Sequence, residues 1–360
     1  MSSSFLKRRA RRGISLMEVL ISMFILTVGL LGVAALIPAG RHEIVEAAKL
    51  DNASMVGRAA FRDMQVRGFL NPEAWSLSPQ AINSVFTPIA SDGNYFTVRN
   101  SAGGVSLSNQ VAYCLDPLGR TAAAGDYGPD FPNPAAGGSN PPALMRIVPF
   151  ATASLAASRA VYDSIFRSSF DQILEPNATN TDFPPSPKWF SGNSRRMSEG
   201  NYSWLATIVS DSSKPAISSD VAVSVAVFYK RDLSQQGAGE YIASVDSFPL
   251  DPADDPTQRI IRMTSGGEIV LRDLPINPIT NKRVILKPGQ WIMLAGSGNA
   301  LNYYRWYRVL SAAAPAPATP TIQRVTLTGQ DWQVNASATR AWIFDNIVNV
   351  YEKQMPLEVP

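Results

Sequence analysis

The chain has 360 residues, is 45% hydrophobic and carries 27 prolines and 24 glycines; this composition can bury a sizeable core, is rich in turns, and excludes a disordered polymer. Its formal charge of +3 is no signature of nucleic acid binding, because Lys7, Arg8, Arg9, Arg11 and Arg12 all precede Gly13 and +3 less these five leaves −2 for the rest. A single histidine, His42, and a single cysteine, Cys114, exclude Ser-His-Asp and multi-histidine metal sites in the region beyond His42 and any intramolecular disulfide, so no enzyme is expected.

Residues 19–37 contain no charge, and 19 helical residues at 1.5 Å each cover about 28 Å, close to the thickness of a bilayer core. The preceding cations place that flank in the cytoplasm and everything after Arg41 on the other side. A secretory signal peptide fits poorly, since the apolar run exceeds an ordinary h-region and "LIPAGRHE" is a weak cleavage site. Glu18 is the anomaly. A carboxylate in a membrane span costs about 2.5–3.5 kcal/mol by insertion scales, and its position in a first helical turn returns only about 0.3–1 kcal/mol from the macrodipole. A compensating partner is required.

The stretch "GISLMEVLISMFILTVGLLGVAAL", from Gly13 onward, resembles the class III signal and N-terminal helix of type IV pilins and type II secretion pseudopilins, closest to V-type minor pilins and I-type minor pseudopilins. The resemblance covers residues 7 to about 40 and leaves the head unmatched. It implies a basic leader, 1–13, cut between Gly13 and Ile14 by prepilin peptidase with N-terminal methylation, and a transmembrane and polymerisation helix, 14–40. It further implies storage in the inner membrane as a single pass, N-terminus cytoplasmic and head outside, followed by assembly with other pilin or pseudopilin subunits into an extracytoplasmic filament. Glu18, at the fifth mature position, is then paired with the free Ile14 amine of a neighbouring subunit. Two charges that are each costly in hydrocarbon offset one another, and a misregistered subunit leaves both exposed to lipid. The expected role is structural, and the bulky head fits a minor or tip-located subunit better than a densely packed shaft. A type II secretion minor pseudopilin and a non-polymerising signal-anchored surface binding protein are the alternatives. Pro38 removes a backbone hydrogen bond and is expected to kink the helix.

Residues 41–70 continue with helical spacing: Ala47, Leu50, Ala53, Gly57, Phe61 and Met64 recur every three or four positions, an amphipathic stripe that needs a surface to bury against. "GFLNP" from Gly68 supplies a stop. One helix over 14–70 would be about 85 Å long.

The head, 71–360, reads as mainly antiparallel β, which makes the whole an α+β fold. "DVAVSVAVFYK" (220–230) alternates most clearly, and 202–210, 267–274, 289–296, 303–311, 322–329 and 341–351 read as further strands. Residues 155–173 fit a helix face better. Proline-rich breaks at 116–143 and 184–187 could separate subdomains at 95–180 and 200–355. "AAAPAPATP" (312–320) reads as a hairpin loop.

Two constellations invite chemistry. Asp251, Asp254 and Asp255 are oxygen ligands of the kind calcium takes, but their spacing matches no loop motif, and a solvated acidic turn is the simpler reading; no other cofactor is suggested. "YYRWYR" (303–308) could stack bases, but with a slightly acidic chain after Gly13 a core-facing strand with its arginines snorkelling or packed on the rings is the preferred reading, and no nucleic acid partner is expected.

Overall fold

The computed structural model describes residues 16–71, 75–77, 87–91, 96–99, 105–110, 112–116, 146–148, 201–210, 220–231, 239–247, 267–277, 280–298, 301–332 and 339–357. Two compact units emerge, Met1–Asp51 and Asn52–Pro360. One helix, α1 (Leu16–Val66), runs through the boundary between them.

In the second unit α1 ends as its sequence requires. Gly68 adopts φ +66°, the left-handed conformation that glycine takes without steric cost, and the Phe69 amide reaches back to the Met64 carbonyl at 2.9 Å. This is the bonding of a Schellman cap, and both residues that make it are fully buried. The Trp75 indole adds a bond to the Phe69 carbonyl at 2.7 Å. The apolar stripe is buried from Ala53 onward, through Val56, Ala60 and Met64; Ala47 and Leu50, earlier in the helix, are exposed.

The strands follow as β1 (Ser76–Leu77), β2 (Thr87–Ser91), β3 (Phe96–Arg99), β4 (Val105–Gln110), β5 (Ala112–Leu115), β6 (Arg146–Val148), β7 (Tyr202–Ser210), β8 (Asp220–Tyr229), β9 (Glu240–Ser247), β10 (Glu268–Arg272), β11 (Ile276–Asn277), β12 (Lys282–Arg283), β13 (Trp291–Gly298), β14 (Leu301–Ala312), β15 (Gln323–Thr328), β16 (Thr339–Phe344) and β17 (Ile347–Pro356). They make a nine-stranded sheet in the order β17-β8-β7-β5-β6-β1-β2-β3-β4, a closed barrel β10-β15-β14-β13-β16-β9 and the small β11-β12 ribbon. Only β5 and β6 pair in parallel among the described strands. The α+β class read from the sequence is what the structure has.

The alternation in β8 explains how the layers stack. Val221, Val223, Val225 and Val227 join the helix-side core with Ala53, Val56, Ala60 and Met64, whereas Ala226 and Phe228 join a second core with Met293, Trp306 and Trp342 from the barrel. A sheet covered on both faces must be apolar or small at nearly every position, which the run "VAVSVAVF" satisfies. A third core fills the barrel itself, built from Ile292, Leu294, Tyr307, Val309, Ala341 and Ile343 among others. Successive residues of β13, β14 and β16 therefore point alternately into the barrel and toward the sheet.

One expectation needs correction. Residues 341–351 read as a single strand but are two, β16 and β17, which lie in different sheets. The chain turns at Asp345 and Asn346, with Asn346 at φ +64°, a conformation asparagine tolerates better than most residues. The turn is held by Asp345 N–H to the Gly239 carbonyl at 2.7 Å and Tyr229 N–H to the Asn346 carbonyl at 2.9 Å. The periodicity on either side of it is continuous, so only the dipeptide Asp-Asn carried the signal. The hairpin reading of 312–320 holds, since β14 and β15 pair antiparallel across it. The helix expected at 155–173 lies outside the described residues.

Candidate functional site

The first unit displays an apolar surface. Every side chain described between Leu16 and Ile37 is exposed, including Leu16 at 79% and Leu31 at 77%. α1 is long and apolar enough to cross a membrane. The hydroxyls within this stretch are satisfied locally, since Ser22 Oγ donates to the Glu18 carbonyl and Thr27 Oγ1 donates to the Phe24 carbonyl at 2.8 Å. Such i−3 and i−4 bonds hide a hydroxyl from hydrocarbon. The Glu18 carboxylate is different: it stands exposed in the first turn of α1, and among the described residues no side chain pairs with it. Pro38 lies in the interior of α1. Beyond it the helix becomes amphiphilic, and Lys49 Nζ donates to Glu46 Oε1 at 2.5 Å, which holds the Glu46 carboxyl below the usual range. Gly13, Ile14 and the leader cations Lys7, Arg8, Arg9, Arg11 and Arg12 lie outside the described residues, as do Asp251, Asp254 and Asp255.

The aromatic run of β14 is turned inward. Tyr304 and Trp306 are buried between barrel and sheet, and Trp306 Nε1 donates to Thr207 Oγ1 at 3.0 Å. Tyr307 is buried inside the barrel with its hydroxyl on the Gln330 carbonyl at 2.9 Å, and burial pushes that phenol well above its ordinary value. Arg305 donates to the Asp331 carbonyl at 2.8 Å. These rings offer no stacking surface.

A buried ionic cluster escaped the sequence reading. Arg231, just after β8, makes a two-pronged contact with Asp116, at 3.1 and 2.9 Å, and a further bond to Glu240 at 2.5 Å. All three side chains are at most 3% exposed, and the guanidinium lies 4.5 Å over the Phe228 ring. The cluster ties the end of β5 to the start of β9, and hence the sheet to the barrel. Breaking such an arrangement strands a charge in low dielectric. The three residues are separated by up to 124 positions, and nothing local distinguishes Asp116 or Arg231 from ordinary strand-end charges.

No curated protein and no solved structure matches the chain, but residues 8–34 match the prokaryotic N-terminal methylation motif. That match and the apolar helix together point to a membrane-anchored protein of pilin-like or pseudopilin type. The chain carries a class III prepilin-like signal, and its head stands outside every match.

Proposed function

We propose that this chain is a structural, minor or tip-located subunit of a type IV pilus-type filament. The observation that carries the proposal is the lone Glu18 carboxylate at the start of a helix whose described side chains from Leu16 to Ile37 are all exposed, within the segment that matches the methylation motif. Prepilin peptidase cuts after Gly13. The freed Ile14 amine of one subunit meets Glu18 of the next, and the pair fixes register because either charge alone is costly in lipid. The apolar helices pack against one another as the subunits leave the inner membrane. The head, at more than 250 residues, supports a sparse or terminal position, since its volume opposes close packing along a shaft.

Mass spectrometry of the N-terminus in membrane and sheared-surface fractions tests this reading. A chain beginning with N-methylated Ile14 is expected in both. An uncut Met1, or a cut near Ala39, would overturn it. Finding the chain as the most abundant protein of sheared filaments would overturn the minor or terminal placement alone.

A further inference from the structure

One end of the barrel combines exposed aliphatic side chains with exposed cations. This end is formed where β10 and β14 finish and β15 begins, and the segment containing β11 and β12 closes it. Leu274 and Leu286 contribute to the barrel core. Gln323 anchors Leu286 by accepting from its amide at 3.0 Å and donating to its carbonyl at 2.9 Å, and also donates to the Ala313 carbonyl at 3.1 Å. Backbone bonds make the surface continuous: Val284 to Pro275, Gly289 to Val309 and Ala313 to Arg324, at 2.8–2.9 Å.

Outside α1, the large aliphatic side chains exposed among the residues whose side chains are described are Ile276 at 51%, Ile285 at 44% and Leu310 at 61%. All three lie on this end. They are interspersed with exposed cations, Arg272, Lys282, Lys287, Arg308 and Arg324. Residues 267–332 hold seven cations and three carboxylates, in a chain that sums to −2 after Gly13. One of those carboxylates, Glu268, reaches Arg324 at 3.6 Å. Because Leu274 and Leu286 fill the barrel mouth, the surface presents side chains outward and does not receive one. Single aliphatics set among cations match an interface of phosphate headgroups over acyl chains: the cations meet the phosphates and the aliphatics enter the boundary.

We propose that this barrel end docks onto an anionic phospholipid surface. The binding is independent of α1 and of how the filament is assembled. The test uses the full chain held in phosphatidylcholine nanodiscs, so that α1 is already occupied, mixed with separate vesicles and centrifuged. Pelleting with vesicles containing phosphatidylglycerol is expected to exceed pelleting with pure phosphatidylcholine and to fall at high salt. Lys282→Glu with Lys287→Glu is expected to lower it roughly fivefold or more per cation, and Ile276→Ser with Ile285→Ser to lower it at low salt as well. All four side chains are exposed, so unchanged thermal unfolding checks each variant, and Leu310→Ser is the substitute if one fails to fold. Equal pelleting with both vesicle types overturns the proposal. So does a loss caused by the charge reversals alone, which would assign the surface to soluble polyanions such as nucleic acid or acidic protein.

Discussion

Gly57 sits on the buried face of α1, where an added Cβ would lie 2.5 Å from Tyr351 Cδ2 and 2.9 Å from Cε2, well inside the roughly 3.5–4.0 Å at which carbon atoms attract. Gly57→Ala therefore sets two effects against each other. Alanine gains about 1 kcal/mol of helix propensity over glycine, and overpacking costs about 1–3 kcal/mol. Tyr351 is only half-buried, so its ring can yield by moving outward, and the expected net is a destabilisation of about 1 kcal/mol, or roughly 2 °C in Tm for a head of this size. In a Tyr351→Ala background the clash disappears but the propensity gain stays. There the same substitution should stabilise by about 1 kcal/mol. Thermal unfolding of the detergent-solubilised chain, followed by near-ultraviolet circular dichroism, measures both steps of the cycle. A stabilisation of equal size in both backgrounds would refute the reasoning, because it would mean that no ring occupies the space beside Gly57.

Arg231→Met should destabilise the head by about 3–5 kcal/mol, since it strands Asp116 and Glu240 in a dry site; apolar replacement of all three should recover most of that loss, and denaturant midpoints distinguish the two. Gly68→Ala should cost about 1 kcal/mol by forcing a Cβ into the left-handed cap, seen as a lower Tm without a change in helix content. Burial holds the Asp345 carboxyl above its ordinary value, partly opposed by the bond from the Tyr241 hydroxyl at 3.0 Å. A raised folded-state pKa contributes stability that is present below the unfolded value of about 3.9 and lost as pH rises through the folded one. Asp345→Asn should accordingly gain on the natural chain between acid and neutral pH and match it below about pH 3.5; a Tm difference independent of pH would contradict this. Glu18→Ala should leave the unfolding of the head unchanged and abolish incorporation into sheared filaments; normal incorporation would remove the register role.

The N-terminal segment was legible in the sequence because its chemistry is local. A charge-free run of membrane length, one carboxylate, a preceding glycine and a basic flank are all read along a single stretch, and the methylation-motif match covers most of it, residues 8–34. The strands of the head were legible for a similar reason: a period of two is visible in "DVAVSVAVFYK", and β8 runs Asp220–Tyr229. "YYRWYR" was legible as a core-facing strand, but that Tyr304 and Trp306 enter one core and Tyr307 another depended on what lay across from them. Tertiary structure decided that both faces of the central sheet are covered, one by α1 and one by the barrel, so that alternation in β8 separates two cores instead of core from water. It also decided that 341–351 changes sheets at Asp345, that Gly57 exists to admit a tyrosine ring, and that Asp116, Arg231 and Glu240 meet. Sequence determines what a segment can bury and where it can turn, because propensity and periodicity act over a few residues. Which surfaces meet is set by contacts between residues more than a hundred positions apart, as for Asp116 and Arg231, and those depend on the packing of the whole chain.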